Sequence, residues 1–409
     1  MPPPPDPRRW SQLAWLAAIE LLAMSLWFSA SAVTKTLAGQ WQLSPGSQAW
    51  LTISVQVGFV IGALASAVLN LSERISPTKL LAWCALGGAL ANAAIPLAIG
   101  DEFGRTSVGL TILIGLRVLT GVMLAGVYPT GMKLMATWFV QGRGLAIGIL
   151  VGALTIGSAS PHLVYALASW RMVLLGASAA ALIAAVLAAL FARVGPHLPA
   201  ATRFDLGYFA RIWADPAVRR ANFGYLGHMF ELYAMWAWAP RLLADSYHAA
   251  HWSEAAAKTA SFATVAIGGA GCVLAGFAAE RVGRCWTTTI SLALSGGCAL
   301  VVGWLIDHPA LLTIVCLLWG LAVIADSAQF SAAVSELCDP QFVGTALTIQ
   351  TCAGFLLTTL TIRAVPTLEH ALGWNWAFAL LALGPLFGIY HMLRLRASPA
   401  AAKLAGGRG

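Results

Sequence analysis

The sequence predicts an all-α membrane protein of twelve transmembrane helices in two six-helix halves, from its composition, its apolar runs and one central polar break. Of the 409 residues, 59% are hydrophobic and 10% are charged, and the mean hydropathy is +0.77. A soluble chain usually carries about 25% charged residues. Apolar stretches recur from near residue 11 to near residue 395. Since each crossing needs about 20 residues, the length leaves room for about twelve spans and little else.

The first element is a proline-rich tail, MPPPPDPRRW, followed by an apolar run. This run is longer than the apolar core of a signal peptide, so we expect span one to be an uncleaved anchor. The remaining spans follow with short breaks. The predicted spans cover residues 11–34, 48–70, 79–99, 107–136, 143–167, 171–193, 221–246, 258–279, 285–306, 309–335, 342–365 and 371–393.

The basic residues predict the orientation of these spans. With the N-terminus inside, the cytoplasmic segments hold sixteen Lys and Arg residues and the opposite segments hold six. This asymmetry satisfies the positive-inside rule, and an even number of spans returns the C-terminus to the same side. We therefore expect a plasma (inner) membrane protein with both termini in the cytoplasm. The basic excess does not indicate nucleic acid, because no basic run is interleaved with aromatic residues in a soluble segment.

The longest polar break, residues 194–222, divides the chain. It predicts an N-terminal half at 1–193, a cytoplasmic linker at 194–220 and a C-terminal half at 221–409. Aromatic residues spaced among arginines favour a short amphipathic helix on the membrane surface. A solvated linker explains the same composition, and both interpretations stay open.

The cysteines indicate neither disulfides nor a metal. Their number, seven, is odd, and no C-x-x-C pair occurs. We expect no cofactor and no metal. The expected partners are a small-molecule substrate, protons and the lipid bilayer, with the chain acting as a monomer.

Two segments repeat around a buried acid. Span one contains ELLAMSLW, from Glu20 to Trp27, and span seven contains ELYAMWAW, from Glu231 to Trp238. Five residue types recur at the same offsets, which suggests an internal duplication. Residues seven apart project from nearly the same helix face. Each Glu lies about eleven residues into its span, roughly 16 Å deep and close to the bilayer midplane.

A carboxylate at that depth must face protein or a water-filled cavity. Burial favours its protonated form, so it can carry a proton near neutral pH. We expect Glu20 and Glu231 to form two walls of a central cavity beneath Trp27 and Trp238. The alternative is that each acid is a structural partner of a neighbouring helix.

A charged loop after span eight is the most specific motif. It reads GFAAERVGRCW, and its motif residues are Gly276, Glu280, Arg281, Gly283 and Arg284. The equivalent first-half loop, LNLSERISPTK, keeps only Glu73 and Arg74. In span four, RVLTGVMLAGVYP places Arg117 and Gly121 in an R-x-x-x-G element.

With twelve spans and a two-half repeat, these motifs resemble those of the major facilitator superfamily, whose loop reads G-x-x-x-[DE]-R-x-G-R. The resemblance covers essentially the whole chain and implies that fold and a transport function. It implies a conformational latch at the cytoplasmic side, made asymmetric by the degraded first copy. Physically, Gly276 allows close helix approach, while Glu280, Arg281 and Arg284 can bind helix ends or opposite charges. Simple positive-inside anchoring is the alternative.

The motifs are less specific about the branch of the family. Drug:proton antiporters carry G-P-x-x-G-G in span five, whereas here that span reads GILVGALTIGSASPHL without Gly-Pro. The glycine-rich span five and the YPTGMKLMATWF continuation of span four are more similar to the nitrate/nitrite and cyanate porter branch. The paired nitrate signatures of that branch are absent.

Other polar residues lie within the predicted spans. Arg117 lies deep in span four, where it can bind an anion, release a proton from a carboxylate or form a structural ion pair. Lys133 and Asp326 lie nearer the cytoplasmic ends, where a charge can reach water. His228 lies three residues before Glu231, and this spacing favours a hydrogen-bonded pair over a proton relay or half of a metal site. The following can line a cavity or pack between helices: Tyr128, Tyr225, Tyr233, Trp236, Gln329 and Gln350.

The sequence contains no P-loop, G-x-S-x-G or H-E-x-x-H motif, so we expect no enzyme and no ATP-driven pump. The leading hypothesis is a proton-coupled secondary transporter that moves a small solute by alternating access. The expected solute is a small anion. A drug or organic-cation:proton antiporter and a gradient-only facilitator are alternatives. A transporter-like receptor is the hypothesis from another class.

Overall fold

A computed structural model describes residues 6–139, 143–197 and 207–409 of the chain. Within these ranges the regular structure is helical, and no strand occurs. Ten helical stretches are long and apolar enough to cross a membrane. They are Pro45–Val68, Pro77–Ala98, Ser107–Ala136, Gly144–Leu167, Trp170–Phe191, Glu254–Val282, Arg284–Leu305, Pro309–Leu337, Val343–Leu372 and Trp374–Arg396.

Two further stretches complete the twelve spans. Span one consists of Arg9–Met24, Ser29–Ala32 and Thr34–Trp41, so it is interrupted near its middle. Span seven is one long helix, Pro216–Ala249. With these two, the ten stretches above become spans two to six and eight to twelve. The observed bounds match the predicted spans closely. The largest differences at one end are in span one, which ends at Trp41 rather than at 34, and in span eleven, which ends at Leu372 rather than at 365.

Spans four, eight and ten are also interrupted. Span four breaks between Leu124 and Tyr128, and span ten breaks between Val323 and Ser327. The segments after these breaks, Tyr128–Ala136 and Ser327–Leu337, are called the inner segments of spans four and ten. In span eight, Ile267 separates two helical segments. Irregular backbone at membrane depth is tolerated only where protein or a water-filled cavity surrounds it. The breaks therefore mark parts of the bundle interior.

The outer surface is suited to lipid. In span six, Leu182 and Ile183 are exposed, whereas Ala181 and Ala184 are buried against neighbouring helices. Small residues at helix contacts let backbones approach closely, which is how helices gain packing energy in a bilayer. Large apolar side chains consequently cover the perimeter of the bundle.

The two halves meet through two pairs of spans. Span five packs along both segments of span eight, and span two packs on span eleven. At the first contact a Cβ on Gly152 would lie 3.0 Å from the carbonyl oxygen of Gly269. Glycine at this position therefore permits the close approach of the two backbones.

The linker contains a short helix, Tyr208–Ala214. Its Ile212 is buried, and the helix contacts spans seven and eleven. Of the two interpretations of this segment, a helix is the one observed for 208–214. Residues 198–206 of the predicted linker lie outside the described residues.

Candidate substrate and coupling site

Arg117 is fully buried beside the interruption of span one. Its guanidinium donates to the carbonyl oxygens of Leu26 at 2.9 Å, Trp27 at 2.5 Å and Leu51 at 3.3 Å. It also donates to the Ser29 hydroxyl at 3.2 Å. Helix interruption leaves carbonyls without helical partners, and a buried carbonyl needs a donor. In this conformation Arg117 stabilises the broken backbone of span one.

Asn92 extends this network, and the sequence reasoning missed it. Its side-chain oxygen accepts from Ser29 at 2.8 Å, and its amide donates to the carbonyl of Leu174 and the hydroxyl of Ser178, each at 2.9 Å. Asn92 is fully buried. The signal was an isolated amide in the apolar run of span three, since a buried polar group requires partners.

Glu20 is fully buried, and neither of its carboxylate oxygens has a hydrogen-bond partner among the described residues. Its Oε1 directly faces Gly131, where any side chain would collide with it. Tyr128, three residues before Gly131, begins the inner segment of span four. Glu20 therefore packs against the inner segment of span four, within its own half.

Glu231 is held inside the C-terminal half. It accepts hydrogen bonds from the Ser295 hydroxyl at 2.8 Å and from the Trp319 indole at 2.6 Å. These donors belong to spans nine and ten. The expected hydrogen bond between His228 and Glu231 is wrong, since each has other partners. Glu231 faces the helices of its own half, as Glu20 does.

His228 instead lies beside Asp326. The distance from His228 Nδ1 to Asp326 Oδ1 is 2.8 Å, and both side chains are 1% exposed. Asp326 lies at the interruption of span ten, so it does not reach water as the sequence suggested. Three titratable side chains, His228, Glu231 and Asp326, are thus gathered inside one half. Lys133 lies in the last turn of the inner segment of span four.

The two tryptophans of the repeat have different surroundings. The Trp238 indole donates to the carbonyl of Ile362 at 2.7 Å, within the C-terminal half. Trp27 instead contacts Tyr233 and Phe355 of the other half, with ring centroids 5.7 and 5.3 Å away. The repeated sequence therefore does not place both tryptophans at equivalent sites.

Trp27 belongs to an aromatic cluster between the halves. Neighbouring rings lie 4.6 to 6.3 Å apart between centroids, and every member is buried. Phe59 and Phe355 connect span two to span eleven at 4.6 Å. The members of this central aromatic cluster are Trp27, Phe28, Phe59, Tyr233, Trp236 and Phe355.

The motif loop lies where spans five and eight meet. A Cβ on Gly276 would lie 3.1 Å from the carbonyl oxygen of Gly144. A Cβ on Gly144, near the beginning of span five, would lie 3.1 Å from Oε1 of Glu280. A carboxylate there is favoured by the helix dipole. Gly276 and Glu280 thus connect the two halves.

Arg284 makes the strongest contacts of the loop. It binds both carboxylate oxygens of Glu336 at 2.7 and 2.6 Å, and it donates to Gln329 at 2.7 Å. Gly283 precedes it with φ of +89°, a conformation that favours glycine. Arg281 is exposed in the last turn of span eight.

The first-half copy of the loop looks different. Arg74 ends the short helix Leu71–Arg74 and is exposed. The side chain of Glu73 lies outside what the structure describes.

The C-terminal segment adds a further contact at the second copy, because Arg408 donates to the carbonyl of Glu280.

Comparisons with known proteins agree with this architecture. The sequence model of the Major Facilitator Superfamily matches residues 16–361. Solute carrier family 22 member 11 of Homo sapiens is 30% identical over 155 residues, which are 37% of this chain and 26% of that protein. The match thus spans about a quarter of the relative's length.

Two solved structures share the fold at low identity. The proton:xylose symporter XylE superposes with a TM-score of 0.71 at 13% identity, covering 94% of this chain and 96% of that one. A mutant of the nucleoside transporter NupG gives 0.69 at 14% identity, covering 94% and 99%. The family match covers most of the chain. The chain therefore belongs to the major facilitator superfamily and is a multi-pass membrane transporter rather than an enzyme.

Proposed function

We propose that this transporter is a proton-coupled secondary carrier of a small solute, with the proton carried by the buried acids of the C-terminal half. The single observation behind the proposal is the His228–Asp326 pair at the interruption of span ten. An intramembrane carboxylate is unfavourable unless it is paired, protonated or hydrated, and such groups commonly mark ion pathways.

The location of the pair supports a role in coupling. Asp326 lies immediately before the inner segment of span ten, while His228 lies on the continuous helix of span seven. Movement of one segment against the other separates the two side chains. A separated Asp326 must bind a proton or meet water, because a buried unpaired charge is strongly destabilising. Proton binding is thereby linked to the conformation of span ten.

Glu231 is the second candidate for the proton. It lies one turn beyond His228 and is tied to spans nine and ten by Ser295 and Trp319. Glu20 is the candidate of the other half, with no partner in this conformation. The expectation of a small anion rested on Arg117, whose donors bind backbone carbonyls here, so we do not place an anion at that residue.

The remaining parts of the proposal rest on the sequence. They are the plasma (inner) membrane location, both termini in the cytoplasm, a monomeric carrier, and halves at 1–193 and 221–409 joined by 194–220. The charge asymmetry of the loops supports the orientation.

The experiment begins with a thermal-shift screen of organic acids, inorganic anions and organic cations, since any ligand of the folded state raises its stability. The best ligand is then followed into proteoliposomes with and without a pH gradient. We expect accumulation that depends on the gradient. We expect Asp326→Asn to abolish accumulation while exchange between the two sides continues, because exchange needs no net proton movement. Glu231→Gln and Glu20→Gln are tested in the same way.

Glu102→Gln is the matched control, because Glu102 is an exposed acid in the short helix Asp101–Gly104. Its accumulation should equal that of the unmodified chain. Gradient-independent uptake by the unmodified chain would instead indicate a facilitator. If Asp326→Asn and Glu231→Gln both still accumulate ligand, the acids of the C-terminal half do not couple transport to protons. Loss of accumulation in Glu20→Gln alone would place the coupling in the other half.

A further inference from the structure

We propose that the central aromatic cluster is the substrate site and that it takes a planar aromatic solute with a hydrogen-bond acceptor, a carbonyl or a carboxylate, at the edge of its ring. This inference deepens the proposed function and rests on it. The cluster combines ring faces with buried polar atoms that have no protein partner. Both observations constrain the ligand.

The rings come from both halves and from the middle of their helices. Trp27 lies at the interruption of span one, and Phe59 lies near the centre of span two. Tyr233 and Phe355 approach them from spans seven and eleven, with centroids 5.1 Å apart. Aromatic pairs favour this range of distances. When the halves separate, a ring-shaped ligand can replace contacts that these rings now make with one another.

Three buried polar groups accompany the rings. The indole nitrogens of Trp27 and Trp236 and the side-chain amide of Gln56 have no hydrogen-bond partner among the described residues. The three side chains are at most 3% exposed. Gln56 lies three residues before Phe59 and four after Thr52, which binds Ser31 of span one. This spacing places Gln56 on the face of span two that meets span one.

The chemistry of these groups selects an acceptor. An indole N–H can only donate, and a side-chain amide can donate and accept. A buried donor without a partner is unfavourable, and a ligand acceptor would remove that penalty. A purely apolar gate would need no such donors. A cation without acceptors would leave both indoles unsatisfied, although ring faces attract it.

Two buried basic side chains, Arg117 and His228, already have partners and do not supply a site for a small inorganic anion. Arg117 donates to the backbone of spans one and two, and His228 lies against Asp326. The donors without a partner, on Trp27, Trp236 and Gln56, are neutral. Recognition must then come from stacking together with hydrogen bonds, which requires a ring and an acceptor in the same molecule.

The first arm of the test measures binding to the purified full chain by thermal shift, without a gradient. The probes are benzamide and benzoate, and indole-3-carboxamide and indole-3-carboxylate, which vary ring size and charge separately. We expect at least one aromatic probe to bind, and the amide or acid preference gives the charge of the substrate. Cyclohexanecarboxylate and nitrate have acceptors but no aromatic ring, and tetramethylammonium has neither. Absence of aromatic binding, or equal binding of cyclohexanecarboxylate, would overturn the inference.

The second arm locates the site. Trp236→Phe keeps a ring and removes one N–H, and Gln56→Leu removes the amide. Each should weaken binding of the aromatic probe about three- to tenfold, the usual effect of one hydrogen bond. Trp376→Phe is the control, because Trp376 is 54% exposed, and it should bind normally. Variants that lose thermal stability but bind with unchanged affinity would show a structural role only and contradict the site.

The outcomes separate this inference from the proposed function. Binding needs no proton movement, so Asp326→Asn should bind the aromatic probe while failing to accumulate it. If no aromatic probe binds but another solute accumulates with the pH gradient, the inference fails and the proton coupling stands. If an aromatic probe binds but its accumulation does not depend on the pH gradient, the proton coupling fails and the substrate site stands.

Discussion

At the scale of single residues, Arg117 shows how depth alone leaves a role open. A guanidinium has five N–H donors and no acceptor. Three of its contacts are to backbone carbonyls, of Leu26, Trp27 and Leu51. Those carbonyls lie on two spans, so Arg117 joins span one to span two at the interruption. A basic residue bound in this way is part of the scaffold.

We expect Arg117→Lys to lower the free energy of unfolding by about 3 kcal/mol, because an ammonium cannot reach the same set of carbonyls and leaves buried acceptors unpaired. The thermal midpoint of the purified protein measures this change. Arg363→Lys, at an exposed position of span eleven, is the control and should leave the midpoint unchanged. If Arg117→Lys is as stable as the parent but no longer binds anions, Arg117 is an anion ligand rather than part of the scaffold.

The sequence predicted which acids are buried, but it did not predict which residues contact them. It placed Glu20 and Glu231 deep in the membrane, and both are at most 1% exposed. It could not identify Ser295 or Trp319, which lie 64 and 88 residues from Glu231 along the chain. Helical spacing relates only residues within a few turns. Contacts across spans depend on how whole helices pack, and a single sequence does not specify that.

At the scale of helices, the spans were predictable and their interruptions were not. Hydropathy is averaged over about 19 residues, so it detects a span and passes over a break of three residues. Span four carries a local signal, since Pro129 lies in the first turn of its inner segment. Span ten carries none at Asp326. Its interruption is recognisable only from the contacts that surround it.

The inner segment of span ten connects two features of the C-terminal half. It begins beside Asp326, which lies against His228, and it carries Gln329 and Glu336, which bind Arg284. A rigid helix of this length moves as a unit. The charged loop and the coupling pair are therefore attached to the same moving part.

We expect Arg284→Ala and Glu336→Gln to change the turnover rate several-fold with little change in substrate affinity. Each removes the bidentate ion pair, which lies away from the central aromatic cluster, and shifts the balance between conformations. Exchange rates in proteoliposomes and ligand affinity in detergent are measured in parallel. Arg281→Ala, at an exposed position of the same loop, serves as the comparison. A loss of affinity with unchanged exchange would contradict the latch.

At the scale of the whole molecule, the halves touch at both ends of span five. Near its beginning, Gly144 meets Gly276 and Glu280. Near its end, the Lys258 ammonium lies 3.6 Å from the centroid of the Tyr165 ring. With the central aromatic cluster buried between these contacts, a solute can enter only after one end opens. In this conformation the central aromatic cluster is buried, with every member at most 7% exposed.

Which end opens to which compartment depends on the orientation of the chain. Sixteen basic residues against six favour cytoplasmic termini and a cytoplasmic loop at 194–222. We expect Arg203→Cys to react with an impermeant maleimide only from the cytoplasmic side, and Glu254→Cys only from the outside. Glu254 is a suitable reporter because its side chain is 73% exposed.

The native cysteines set the background of this labelling. Six are buried, and Cys84 is partly exposed, so the reporters are placed in a Cys84→Ala chain. Labelling is compared in intact cells and in inverted vesicles. Reaction of Arg203→Cys in intact cells would reverse the topology. The contact of Gly276 and Glu280 with Gly144 would then lie at the outer end of span five, and the Lys258–Tyr165 contact would lie at the cytoplasmic end. Breaking the first contact would open the bundle to the outside, and breaking the second would open it to the cytoplasm.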